Sequence, residues 1–95
     1  MTQLILNAPN PATFIASQRR VRKIHIAVLT ANTQVNIAHD RNTLEAAPAF
    51  APAGSGGTPI TASQGTVEIE WHGELWMIGA SSNATNPFVD IDVRN

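Results

Sequence analysis

The chain has 95 residues, of which 43% are hydrophobic and 14% charged, with a net charge of -1 and no cysteine. That length suits one domain with one modest core, burying roughly two thirds of the surface the unfolded chain exposes. The composition excludes a disordered chain, a disulfide or thiolate metal framework and nucleic-acid binding driven by bulk charge.

Taken in order, the residues predict short strands. Leu4, Ile5 and Leu6 form an apolar run stopped by Asn7-Ala8-Pro9-Asn10-Pro11. Residues 1–12 therefore read as an N-terminal arm or edge strand with a proline-stiffened end, because proline cannot donate to a ladder. This N-terminal stretch has neither the basic region nor the long apolar region of a secretion signal. No run in the chain reaches the roughly 18 apolar residues of a membrane-spanning helix. Thr13–Ser17 reads as one short strand and the run VRKIHIAVL, from Val21, as the next, with Ile24, Ile26 and Val28 on one face. Thr30–Thr33 is a turn, and Gln34–Ala38 alternates cleanly with Val35 and Ile37 inward, so these two runs are expected to pair as a hairpin. Thr43–Ala47 has the length of a single helical turn, too short to stand alone.

Residues 46–58 form an extended loop. Its core, AAPAFAPAGSGG, holds five Ala, two Pro and three Gly around Phe50. A compact domain rarely carries a loop this long unless the loop has work to do or is disordered. Phe50, flanked by small residues and prolines, suits either an anchor on a docking arm or a plug over the chain's own core. Pro59–Ala62 reads as an edge strand. In GTVEIEWHGELWMIGA, Val67, Ile69 and Trp71 alternate with Glu68, Glu70 and His72. His72-Gly73 then reads as a tight turn, since glycine takes the positive φ such turns use. The return run Leu75–Ile78 is apolar on both faces. Phe88–Val93 alternates again, with Val89, Ile91 and Val93 inward. The whole is expected to be all-β: an antiparallel β-sandwich or small barrel of six to eight short strands with one long Ala/Pro/Gly-rich loop, forming a single domain over residues 1–95.

Chemical groups are sparse. Glu68 and Glu70 point to one face about 7 Å apart, a separation that carboxylate pairs in glycosidases also show. A solvated strand face explains them more simply, and Asp90 and Asp92 likewise. His25, His39 and His72 have no metal-ligand spacing, and no nucleophile elbow or phosphate loop occurs. No catalytic residue, metal or cofactor is expected.

The charges say more. Arg19, Arg20, Arg22 and Lys23 are four of the six basic residues. Residues 1–47 carry five bases and two acids, whereas residues 48–95 carry one base and five acids. Two arrangements satisfy this split. One is a cross-strand charge ladder within one chain, each pair contributing about 0.2–1 kcal/mol. The other is a set of complementary faces between subunits, with Arg19, Arg20, Arg22, Lys23, Phe50, Glu68 and Glu70 as interface residues. Aliphatic neighbours such as Val21 and Ile24 do not form the aromatic platform of a nucleic-acid groove. Trp71, in phase with Val67 and Ile69, is expected in the core. Trp76, with Trp71, is the alternative basis for a carbohydrate-binding module.

The run RRVRKIHIAVL, the short strand TQVNIA, the Gly/Pro/Thr-rich connection and GTVEIEWHGELWMIGA together resemble small β-structured virion proteins of tailed bacteriophages, such as capsid decoration and head-fibre proteins. The resemblance spans residues 19–80 and is one of strand types, so it transfers no functional residue. It implies a non-enzymatic structural role on a virion, in a symmetric homo-oligomer, with the major capsid protein or another virion protein as partner. No coiled-coil or collagen-like stalk is present, which fits a compact decorating subunit. The expected partners therefore include neither nucleic acid nor membrane, with a glycan as the alternative.

Overall fold

Alternation of apolar and polar residues, with few helix-forming stretches between turn signals, gives six strands among the described residues of the computed structural model. The structure describes residues 2–8, 11–45, 57–80 and 83–94. The strands are β1 (Thr2–Ile5), β2 (Thr13–Val28), β3 (Gln34–Ala38), β4 (Thr58–Thr61), β5 (Thr66–Gly79) and β6 (Phe88–Arg94). A single helical turn, α1 (Arg41–Glu45), follows β3, and a 3-10 turn (Ala62–Gln64) follows β4. All six strands belong to one sheet in the order β1-β6-β2-β5-β3-β4, and every pairing is antiparallel. The all-β expectation holds.

Two strands are far longer than expected. Thr13–Ser17 and the VRKIHIAVL run are not separate strands but parts of one 16-residue strand, β2. The 14-residue β5 runs straight through His72 and Gly73, so the expected hairpin turn there does not form. Gly73 does take a positive φ of 93°. It uses that freedom inside a strand, opposite Gln18 of β2. Nor do β2 and β3 pair as a hairpin. The turn between them forms, with Asn32 at φ 61°, but β5 lies between the two strands.

The β2–β5 ribbon organises the fold. Its register slips once between Phe14 and Ala16 and again between Gln18 and Arg22. At the second slip Arg19, Arg20 and Val21 stand opposite His72 alone, since Gln18 pairs with Gly73 and Arg22 with Trp71. Extra residues on one strand bend it and increase its twist. A straight strand of 16 residues would span about 50 Å, more than the longest extent of the molecule, 37 Å. The ribbon therefore bends, and the inner faces of its two arms share one core. Leu75 and Met77 from one arm, with Ile15 against them, pack with Ile24 and Ile26 from the other, together with Leu6, Val35, Ile37, Ile60, Val89 and Ile91.

The second face of β5 is also covered where it turns apolar. Ile78 and Trp76 pack with Ala12, Ala38 and Leu44, the last supplied by α1. Asp40 caps that turn, accepting the Thr43 N–H at 3.2 Å. Glu45 at its end accepts the Ala12 N–H at 2.7 Å, tying α1 to the start of β2. The N-terminal segment is held just as firmly. The Leu6 N–H donates to Pro87 O at 2.9 Å, and Gly79 N–H donates to Asn7 O at 2.7 Å.

Candidate protein interface

Three central strands, β6, β2 and β5, present a charged outer face built by period two. Register fixes its rows. Arg94, Lys23 and Glu70 are cross-strand neighbours; Asp92, His25 and Glu68 form the next row; Asp90, Ala27 and Thr66 form the third. His25 Nε2 lies 2.8 Å from Glu68 Oε2, and Arg94 Nε donates to Asp92 Oδ2 at 2.7 Å. The Arg94 hydrogen bond holds the Asp92 carboxyl below the usual carboxylate range, with smaller help from the positive charge of Arg94. Asp90 Oδ1 is buried without a hydrogen-bond partner among the described residues. Among the described residues, no three His, Asp or Glu side chains come together in an arrangement that holds a metal ion.

Within one chain the register sets Lys23 opposite Glu70, and Glu68 meets His25. Arg19, Arg20 and Arg22 fall outside these pairings. They sit on the bulged corner of β2, with Arg19, Arg20 and Val21 exposed and Arg22 half-buried opposite Trp71. Among the described residues no ion pair holds any of the three arginines. Val21, 60% exposed, puts an aliphatic side chain in the middle of them. The corner is thus a basic projection around an apolar tip, set beside the acidic side chains Glu68, Glu70 and Glu74 of the β5 outer face. Phe50 lies outside the described residues.

The chain has no match among protein-family models, curated proteins or solved structures.

Both tryptophans are engaged. Trp71 is only partly buried, short of the core position expected for it, because it lies at the open bend of the ribbon. His39 stacks on it with ring centroids 4.0 Å apart and planes 12° from parallel, and its Nε1–H donates to Glu74 O at 2.8 Å. Trp76 meets Phe14 edge-on at 5.3 Å and donates Nε1–H to Glu74 Oε1 at 2.9 Å. Sequence reasoning missed the role of His39. Its signal was faint: a polar residue straight after a buried strand, with nothing local to indicate an aromatic partner 32 positions away.

A second surface lies where the ribbon's first arm approaches β1 and β6. A cavity of about 460 Å³ opens there, lined mainly by Leu4, Phe14, Ile15, Ile91 and Val93, with Thr2 and Asp92 as its polar members. No helix of the described residues is long and apolar enough to cross a membrane.

Proposed function

We propose that the chain is a non-enzymatic structural subunit that docks on protein surfaces through its basic corner, in the manner of an accessory protein decorating a phage capsid. The observation that carries this reading is the placement of Arg19, Arg20 and Arg22. Three like charges gathered on a bulge, with no carboxylate opposite them in the register as Lys23 has in Glu70, are electrostatically costly together and favour an acidic surface. The tip residue Val21 supplies an apolar contact within a charged rim, the usual layout of a small protein–protein interface. The acidic surface is that of a virion lattice or of the β5 outer face in a second copy, where Glu70 and Glu74 face solvent. The virion setting comes from the resemblance of strand types, and the corner gives it a mechanism. A glycan site draws no support from the tryptophans, since His39 covers one face of Trp71 and Phe14 abuts Trp76.

The test is association measured against salt. Co-sedimentation with tailed-phage capsids and light scattering of the protein alone are expected to show binding near 0.1 M salt that weakens towards 1 M, as the screening length falls from about 10 Å to about 3 Å. The double variant R19E/R20E is expected to lose the salt-dependent part while keeping the wild-type melting temperature. Absence of any association at low salt, or the same salt-dependent association in the double variant, overturns the reading.

A further inference from the structure

Apart from the last three residues of β6, which carry Asp92 and Arg94, the sheet leaves four strand edges unpaired among the described residues: β1, β4, the first arm of β2 and the stretch of β5 before its bend. Unpaired edges recruit other strands unless something blunts them. β4 carries Pro59, which has no N–H to offer. The β2 arm is bulged and leads into Arg19, Arg20 and Arg22. The β5 edge carries Glu68 and Glu70. β1, Thr-Gln-Leu-Ile, has no charge, no proline and no bulge, and Ile5 at its end is 63% exposed.

The register says which backbone groups of β1 are free. In an antiparallel pair, hydrogen-bonded positions alternate with positions whose N–H and C=O point away. Leu6 donates to Pro87, and the pairing runs Ile5↔Phe88, Leu4↔Val89, Gln3↔Asp90 and Thr2↔Ile91. Leu4 and Thr2 therefore bond to β6 along with Leu6. Gln3 and Ile5 turn their N–H and C=O groups outward. The next outward carbonyl, that of Asn7, is already taken by Gly79.

We propose that β1 is a homotypic edge, pairing antiparallel with β1 of a second copy about a two-fold axis through Leu4. This register sets Gln3 against Ile5 of the partner in both directions and uses every free backbone group of Gln3 and Ile5. It places Leu4 against its own copy at the non-hydrogen-bonded position, on the face that lines the cavity with Ile15, Ile91 and Val93. The partner's Leu4 then extends the apolar wall beside that cavity, and two uncharged edges approach without like-charge opposition. A second copy fits because the edge is self-complementary about a two-fold axis, while each of the other three edges brings arginines, glutamates or a proline. The inference rests on the reading of the chain as an assembling subunit and adds a surface distinct from the basic corner.

The chain has no cysteine, so one introduced thiol gives a clean readout. Opposed Cα atoms at a non-hydrogen-bonded position lie about 4.5 Å apart, within disulfide range. Under mild oxidation L4C is expected to run mostly as a covalent dimer of twice 10.1 kDa, and T85C, in an exposed loop, to stay monomeric. I5P and Q3P each remove one outward N–H and leave the β6 ladder intact. Either is expected to convert the wild-type dimer to a monomer by light scattering with little change in melting temperature. R19E/R20E should remain dimeric. Cross-linking of L4C no greater than that of T85C overturns the proposal, as does a dimer that survives in folded Q3P and I5P. If salt-dependent capsid binding persists alongside such a result, only the edge proposal falls. If it is lost as well, the assembly reading falls with it.

Discussion

Gly79 is where the N-terminal segment crosses the end of β5, and Gly79→Ala tests how closely the two are fitted. A methyl group built there stands 2.7 Å from Ala8 Cβ, 2.8 Å from Pro87 Cδ and 2.9 Å from Asn7 O. None of these is the free end of a flexible side chain. Asn7 O is backbone and already accepts from Gly79, and Pro87 is a fully buried ring. The φ of Gly79 is not positive, so the cost comes from contact and not from backbone strain. Overpacking of this kind costs about 1–3 kcal/mol. For a domain of this size each kcal/mol lowers Tm by about 4–8 °C, so a drop of about 5–20 °C is expected in a reversible thermal melt followed by circular dichroism. The same substitution pushes residues 6–8 outward and moves β1 with them, so G79A/L4C should cross-link less than L4C. A melting point within about 2 °C of wild type, worth less than about 0.5 kcal/mol, refutes the reasoning. It would mean that the segment carrying β1 yields freely at its crossing with β5.

Two further outcomes follow from the charged groups. Glu70→Lys places a like charge opposite Lys23, in a row that already ends on Arg94; it is expected to cost about 0.2–1 kcal/mol in urea denaturation at low salt and less at high salt, whereas equal costs at both would remove the ladder from the account. Glu45 is held below the usual carboxylate range by hydrogen bonds from Arg41 and from the Ala12 backbone. Its folded pKa is depressed, so its contribution is present above the unfolded pKa and lost as pH falls through the folded value. The acid limb of the stability–pH curve should therefore flatten in E45Q, and an unchanged limb would mean that the contact holding α1 to β2 does not matter in solution.

Period two was legible wherever one face of a strand is wet. Val67, Ile69 and Trp71 against Glu68 and Glu70, and Val89 with Ile91, take the faces that alternation assigns them, whereas Val93, expected inward, is 42% exposed and the polar Asn36 between Val35 and Ile37 is buried. The proline-marked edge at β4 was legible for the same local reason. Gly73 was misread because positive φ serves a tight turn and a strand irregularity equally well. A signal against the turn was present: Leu75 and Met77 keep the odd phase of Val67, Ile69 and Trp71 across Gly73, whereas a two-residue turn at 72 and 73 would set Glu74 on the face of Trp71. The β2–β3 hairpin failed differently. Its turn forms at Thr30–Thr33, anchored by Thr33 Oγ1 donating to Thr30 O at 2.7 Å, but which strand lies next to β2 is settled by burial of β5 from both sides. No residue near the turn encodes that choice.

The basic corner was visible as composition but not as geometry. RRVRK on an unbroken ladder would point alternate residues inward and outward, and Arg19 would stand opposite Glu74 as Lys23 stands opposite Glu70. What prevents this is the slip at Gln18–Arg22, where three residues of β2 oppose one of β5. The same slip bends the ribbon so that Leu75 and Met77 reach Ile24 and Ile26. Closing the core and exposing Arg19, Arg20 and Val21 are thus one structural event. A variant that restored regular pairing there would lose both together, which ties the proposed docking surface to the feature on which the fold depends.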